Sequence, residues 1–196
     1  MAPMQYEDNN LIESTVTSEL IYDGQVVHLF VDQVRLPDGK TGLREYVRHI
    51  GAVAVLPLTE EGEVVCVRQY RYAHGRVMTE IPAGKLDSST EDHVEAALRE
   101  LQEETGARCR ELIYLGLYRS TPAILDEKID LYLARGLDFG EQDPDEDEFL
   151  SVVRIPLSEL VEEVMQGKIT DGKTQVAVLK TNELLRREAA QKGEQQ

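Results

Sequence analysis

The sequence predicts an α+β protein in which a mixed β-sheet lies between helices, with an antiparallel β region at the N-terminus. Short apolar runs bounded by turn signals fill residues 19–70 and return after residue 112. Between them, residues 91–105 change to the period of a helix. The 196 residues contain no internal repeat, and their length suits one main hydrophobic core.

Antiparallel strands are predicted for residues 1–49, where apolar runs alternate with turn signals such as the Pro-Asp-Gly at residues 37–39. Two more strands are predicted at residues 51–58 and 63–70. The first of them is apolar enough to be buried on both faces of a sheet.

The middle of the chain is predicted to form an amphipathic helix over residues 91–105. Gly106 follows, where a glycine commonly caps the C-terminal end of a helix. The apolar residues recur at the i, i+3, i+4, i+7 spacing of one helix face, namely Val94, Ala97, Leu98 and Leu101.

The remaining chain is predicted to continue the sheet and then to end in helices. An acid-rich loop separates the last two strands. In order, we expect strands at residues 112–119 and 128–134, the loop at 140–148, a strand at 149–155, and helices at 156–165 and 174–187. The main domain then spans residues 50–188, and residues 189–196 form a polar tail.

Composition and charge disfavour several classes of partner. The chain has 37 acidic and 21 basic residues, a net charge of −16 that argues against binding nucleic acid. No apolar run approaches the roughly 20 residues of a membrane-spanning helix, and the first ten residues show no signal sequence. The two cysteines, Cys66 and Cys109, form no CxxC pair and suit a reducing compartment, so we expect a cytoplasmic protein.

Three glutamates on the predicted central helix form the candidate metal site. Glu100, Glu103 and Glu104 occupy one arc beside the apolar face, where we expect side chains that are neither buried nor fully free. Like charges at this spacing repel one another. A hard divalent cation, Mg²⁺ with Mn²⁺ as a substitute, would compensate for that repulsion. The alternative interpretation is an ordinary solvated acidic face.

The residues around these glutamates resemble the signature of the Nudix hydrolases. That signature begins at Gly84, continues through Glu91, and ends with the Arg-Glu-Leu-Gln-Glu-Glu-Thr-Gly-Ala at residues 99–107. The single departure is one extra residue in the loop at residues 85–90. The resemblance implies a Nudix-type α/β/α sandwich and a contact between Glu91 and Arg99.

The same resemblance assigns roles to the signature residues. Arg99 is expected to orient the carboxylates. The metal ligands are expected to be Glu100, Glu103, Glu104 and the carbonyl of Ala83. Glu103 and Arg99 thereby belong to the catalytic set as well.

Further segments resemble the ADP-ribose pyrophosphatase branch of the family, namely residues 44–49, 68–72 together with 80–84, 121–128 and 145–149. The resemblance implies that Arg71 binds diphosphate, for which a guanidinium is suited, although a surface ion pair is the alternative. It also implies substrate contacts for Arg48 and for Glu127, which lies in the loop over the nucleotide. Glu148 is expected to be the general base, with Glu146 as the alternative.

The branch implies Mg²⁺-dependent hydrolysis of ADP-ribose to AMP and ribose 5-phosphate. Ala123 stands where the branch usually has glycine, so another nucleoside diphosphate sugar, such as GDP-mannose or ADP-glucose, is the alternative substrate. A non-catalytic ADP-ribose sensor is a third possibility, which the three glutamates argue against. The branch also implies a homodimer through the N-terminal strands, in which Arg48 contacts the substrate bound mainly by the other subunit.

Overall fold

The structure, a computed structural model, describes Asp8, residues 10–144 and residues 148–193. Its elements follow the predicted order of strands, a central helix, strands and C-terminal helices. They are β1 (Ser14–Asp23), β2 (His28–Arg35), β3 (Thr41–Arg48), β4 (Ala52–Pro57), β5 (Glu63–Arg71), β6 (Arg76–Glu80), β7 (Ala83–Lys85), α1 (His93–Thr105), β8 (Ala107–Tyr118), β9 (Ile129–Phe139), β10 (Leu150–Pro156), α2 (Leu157–Met165) and α3 (Gly172–Gly193).

The chain divides into two units, of which the first comprises Met1–His49 and Thr121–Glu127. Strands β1, β2 and β3 form an antiparallel sheet in that order. The segment after residue 120 joins this unit through the amide of Val47, which donates to the carbonyl of Ile124 at 2.7 Å. The N-terminal antiparallel region is therefore present as a small sheet of its own.

The second unit contains a four-stranded mixed sheet in the order β7-β4-β9-β8, in which β4 and β9 are parallel. A second, antiparallel sheet has the order β10-β5-β6. Every residue of β4 is buried, as its apolar sequence predicts. Val53 and Val55 pack with α1, whereas Ala54 and Leu56 pack with α2 and α3. Neighbouring side chains of a strand point to opposite faces. Helices therefore cover both faces of β4, which is an inner strand of its sheet.

Helix α1 begins at His93, because Asp92 caps its N-terminus by accepting from the amides of Val94 and Glu95 at 2.9 and 3.1 Å. Gly106 ends the helix in the left-handed conformation with φ of 69°. Both ends therefore have the capping residues that limit a helix.

The orientation of α1 differs from the expectation. Val94 and Leu98 were expected on the buried face, but they are 45% and 40% exposed. Glu100 and Glu104 were expected to be neither buried nor free, and that expectation was wrong, since they are only 7% and 3% exposed. The helix is rotated so that these two glutamates face the protein. Its small residue Ala97 leaves the room for this close approach.

The C-terminal helix is longer than predicted, because α3 continues to Gly193 and includes the first part of the expected polar tail. Residues 194–196 lie outside the described residues. Among the helices that the structure describes, none has the length and apolar content to cross a membrane.

Candidate active site

The short strand β7 supports two of the signature glutamates. A Cβ atom on Gly84 would lie 2.0 Å from Oε1 of Glu100, so only glycine admits the carboxylate at this distance. The amide of Ala83 donates to Oε2 of Glu104 at 3.2 Å. Glu100 and Glu104 therefore both lie against the backbone at residues 83–84, where the carbonyl of Ala83 was expected to be a metal ligand.

Arg99 connects the remaining acids of the signature. Its NH1 donates to Glu100 at 2.8 Å and to Glu103 at 3.0 Å, and its NH2 donates to Glu91 at 3.2 Å. The contact between Glu91 and Arg99 thus forms despite the extra residue in the loop. Partial burial lowers the pKa of Arg99, but the charges and hydrogen bonds of Glu100 and Glu103 together raise it by more. Arg99 is accordingly a permanent cation among these acids.

The buried glutamates have strongly altered acidity. Burial is the main cause that raises the pKa of Glu100 to about 7, and the charges of Glu103 and Glu148 raise it further, against the lowering effect of Arg99. Burial also raises the pKa of Glu104 to about 8, with Glu100 and Glu148 adding to the increase. Glu148 therefore lies within electrostatic reach of both buried glutamates.

The three candidate ligands do not form one closed group. Glu100 and Glu103 share the NH1 of Arg99, while Glu104 binds the amide of Ala83. Across residues 10–144 and 148–193, no three His, Cys, Asp or Glu side chains are gathered closely enough to hold a metal ion. The donor chemistry still fits a hard divalent cation, because the three carboxylates offer only oxygen and the two buried ones, Glu100 and Glu104, gain most from a positive charge.

Arg71 belongs to a buried ionic network that sequence reasoning missed. Its Nε and NH2 each donate to Glu80 at 2.8 Å, and Glu80 also accepts from Nζ of Lys173. Glu80 is 2% exposed. Glu80 could have been noticed, because a charged residue directly before the apolar Ile-Pro-Ala-Gly segment is unusual. Lys173 lies 93 residues further along the chain, and nothing in its local sequence indicates a contact with Glu80.

The loop expected to carry the general base is attached to the end of α1. The amide of Gly140 donates to the carbonyl of Gly106 at 2.7 Å, and that of Asp143 donates to the carbonyl of Glu103 at 3.1 Å. Glu148, the expected base, is partly buried and lies two residues before the start of β10. Glu146, the alternative, lies outside the described residues.

The two other expected substrate residues belong to the first unit. The guanidinium of Arg48 lies 3.9 Å from the ring centroid of Phe30, which is itself stacked with Tyr46. Glu127 lies 3.8 Å from Nε2 of His49. Both side chains are thus oriented by neighbours within their own unit.

Comparisons with known proteins agree with this architecture. A model described as a NUDIX domain matches residues 48–176, and one described as a nucleoside diphosphate sugar hydrolase N-terminal domain matches residues 13–47. A methanol dehydrogenase activator of Bacillus methanolicus is 44% identical over 168 residues, which cover 85% of this chain and 90% of that protein. An ADP-ribose pyrophosphatase of Bacillus subtilis (strain 168) is 40% identical over 171 residues, which cover 86% of this chain and 92% of that protein.

A solved structure resembles most of the chain. The crystal structure of an ADP compounds hydrolase matches with a TM-score of 0.79 and 20% identity, covering 90% of this chain and 95% of that one. The expected Nudix-type α+β fold is thereby confirmed. Since the NUDIX model also matches more than half of its residues, this chain belongs to the Nudix hydrolases.

Proposed function

We propose that this protein hydrolyses the diphosphate bond of ADP-ribose with Mg²⁺ and releases AMP and ribose 5-phosphate. The observation that carries the proposal is the pair of buried carboxylates, Glu100 and Glu104, held against the backbone at residues 83–84. Its substrate class is supported by the high identity with an ADP-ribose pyrophosphatase along most of the chain.

The roles proposed for the residues rest on the family resemblance, and the hydrogen bonds of Arg99 and Glu104 support them. A divalent cation bound by Glu100, Glu103, Glu104 and the carbonyl of Ala83 would neutralise the diphosphate oxygens and lower the pKa of a bound water. Arg99 keeps two of these carboxylates in a fixed orientation.

Two further side chains act on the substrate and the attacking water. Arg71 binds the diphosphate, because among the described residues its NH1 donates to no protein acceptor and its side chain is 40% exposed. Glu148 accepts the proton of the attacking water on a carboxylate oxygen. Glu146 is the alternative base.

Hydrolysis of a substrate panel tests the function. ADP-ribose, ADP-glucose, GDP-mannose and NAD⁺ are each incubated with the protein and Mg²⁺, and the products are identified by chromatography and ³¹P NMR. We expect the highest kcat/KM with ADP-ribose and stoichiometric AMP. A higher kcat/KM with GDP-mannose or ADP-glucose would show that this compound, and not ADP-ribose, is the substrate. If none of the four compounds were hydrolysed, the proposed function would be rejected.

The variant Glu103→Gln tests the carboxylate site itself. Glu103 is more exposed than its two neighbours, so the substitution should leave the fold intact. We expect a loss of at least about 10²-fold in kcat, the scale of removing one preorganised electrostatic contact. Glu95→Gln, on the first turn of the same helix, is the control and should keep full activity. Normal turnover by Glu103→Gln would exclude Glu103 from the chemistry.

We also propose a homodimer through residues 1–49. The strand β1 is exposed along its whole length in the single chain, including the apolar side chains of Val16, Leu20 and Ile21. Exposed apolar side chains concentrated on one small sheet are typical of a surface that a partner covers. In such a dimer, Arg48 would contact the substrate bound mainly by the other subunit.

A second candidate function is the activation of an alcohol dehydrogenase, which the 44% identity with a methanol dehydrogenase activator favours. The two candidates are chemically compatible, because the nicotinamide cofactor of a dehydrogenase contains an ADP-ribose unit with the same diphosphate bond. The test adds the wild-type protein and Glu103→Gln to a methanol dehydrogenase assay. Activation by the wild-type protein alone supports this candidate, and no change in dehydrogenase rate rejects it.

A further inference from the structure

The network behind Arg71 contains a buried lysine for which the proposed chemistry has no use. Lys173 has a side chain that is 10% exposed, and its Nζ donates to Glu80 and, at 3.1 Å, to Asp171. Burying an ammonium group is unfavourable unless acids surround it. Here two carboxylates do so, and one of them is Glu80, whose Oε2 accepts from both Lys173 and the NH2 of Arg71.

The network fixes the start of α3 to the end of β6. Asp171 accepts from the amide of Thr174 at 3.0 Å at the first turn of α3. The hydroxyl of Thr174 accepts from the amide of Ile81 at 2.9 Å, directly after Glu80. Lys173 thus lies in a helix turn that is held by hydrogen bonds. Its ion pair with Glu80 connects this turn to the segment that leads into Ala83.

Glu80 connects Lys173 to Arg71, because it binds both side chains. The carboxylate of Glu80 accepts both Nε and NH2 of Arg71, so one edge of the guanidinium is fixed and the NH1 is left for another acceptor. Although burial raises the pKa of Glu80, the hydrogen bonds and charges of Arg71 and Lys173 lower it to about 2, so the carboxylate stays ionised.

The network also interacts electrostatically with Glu104, one of the candidate metal ligands. Glu104 raises the pKa of Arg71, after the larger effect of Glu80. Lys173 in turn lowers the pKa of Glu104, against the dominant effect of burial. The fixed guanidinium therefore lies in the electrostatic field of the carboxylates that would hold the cation.

We propose that Lys173 is a positioning residue that fixes Glu80, and through Glu80 orients Arg71 toward the diphosphate of the substrate. The proposal rests on the proposed function, since it assumes that Arg71 binds the diphosphate. Without Lys173, the carboxylate of Glu80 keeps only Arg71 as a charged partner. The ion pair of Glu80 and Arg71 would then lose the charged link that attaches it to the start of α3.

Steady-state kinetics with ADP-ribose and Mg²⁺ test the proposal in Lys173→Met, Lys173→Arg and the exposed control Lys168→Met. A group displaced by about 1 Å can lose on the order of 10²-fold in rate. We expect Lys173→Met to raise KM at least about tenfold, Lys173→Arg to recover most of this loss, and Lys168→Met to match the wild type. A merely structural role would lower the amount of active enzyme and leave KM unchanged, which would overturn the proposal.

A double-mutant cycle shows whether Lys173 acts through Arg71. In an Arg71→Met background, the further change Lys173→Met should leave KM unchanged, and a full additional increase would contradict the proposal. If Lys173→Met does not fold, the double variant Glu80→Gln/Lys173→Met is used in its place, because it removes the acidic and the basic charge of the buried pair together. We expect this pair to raise KM as well, and a wild-type KM would reject the proposal.

A binding measurement separates this proposal from the proposed function. Calorimetry with the α,β-methylene analogue of ADP-ribose, without divalent ions, should give a Kd that is at least about tenfold higher for Lys173→Met than for the wild type. Equal Kd values overturn the role of Lys173. Inactivity of the wild-type protein toward ADP-ribose would instead overturn the function on which the role rests.

Discussion

Glu100 and Glu104 are buried acids with few positive charges around them. Arg99 is the cation that binds Glu100 directly, and Lys173 acts on Glu104 through its charge. Burial disfavours the ionised form of both glutamates, and each carboxylate also disfavours the ionisation of its acidic neighbours. Such an arrangement is unfavourable for stability and is typical of functional sites.

The stability of the metal-free protein should therefore fall as the pH rises from about 5 to 8. Folding raises the pKa of Glu100 to about 7 and that of Glu104 to about 8, from an ordinary value of 4.5. The folded state thus binds more protons than the unfolded state in this range, and it loses that advantage as the pH rises. Each pKa unit corresponds to about 1.4 kcal/mol, so the two shifts together set an upper bound of about 8 kcal/mol on the loss.

Thermal unfolding in the presence of a chelator measures this loss. The Tm of the wild type should decrease between pH 5 and pH 8, and Glu104→Gln should show a smaller decrease. Glu80 does not interfere, because its pKa is about 2 and its contribution is lost only as the pH falls below about 4.5. An unchanged decrease in Glu104→Gln would show that the burial of Glu104 is not the cause.

For single residues, the sequence indicated which glutamates are candidates for the site better than it indicated how buried they are. The spacing of the signature singles out Glu100, Glu103 and Glu104. Their burial depends on how α1 is rotated against the sheet, and the exposed Val94 and Leu98 show that the apolar pattern alone does not determine this rotation. The network around Lys173 joins residues that are distant in the chain, and local spacing carries no signal for such contacts.

Helix α1 is the element that brings the candidate site together, and its C-terminal end is closely packed. Gly106 has a positive φ, and an added Cβ would lie 2.5 Å from the carbonyl oxygen of Gly140. The loop that leads toward Glu148 is attached at the same place. The sequence predicted the glycine cap, while the packing of the loop against it became visible only in the structure.

Gly106→Ala should lower the free energy of unfolding by about 1–3 kcal/mol, since an L-residue is strained at this φ and a backbone carbonyl blocks the new methyl group. Gly167→Ala is a matched control, because Gly167 also has a positive φ but has no atom within 4 Å of the added Cβ. Urea denaturation of both variants provides the comparison. An equal loss in the two variants would show that the contact with residue 140 has no effect.

For the whole molecule, most of the order of strands and helices was predictable, because those elements carry their own period and turn signals. The short strands β6 and β7 were not predicted. The apolar run at residues 51–58 predicted a strand that is buried on both faces, and β4 is fully buried. Assembly is different, because a surface that is covered only by a second chain leaves no local period in the sequence. The proposed dimer therefore depends on the exposed apolar residues of β1 and on the family resemblance.

Light scattering tests the dimer directly. We expect twice the mass of one chain at micromolar concentration, and we expect Leu20→Arg to shift the mass toward the monomer, because it adds a charge to an exposed apolar position of β1. Leu179→Arg, at an exposed apolar position of α3, is the control and should remain dimeric. A monomeric wild type would remove the proposed interface.

The most direct test of the central claim is calorimetric titration of Mg²⁺ into the protein at pH 7 to 8. The account predicts that Mg²⁺ binds and releases protons, because Glu100 and Glu104 are partly protonated there and must ionise to become ligands. It also predicts that Glu100→Gln/Glu104→Gln abolishes the binding. If the wild type bound no divalent ion, with or without the α,β-methylene analogue, a metal-dependent hydrolase with this site would be contradicted.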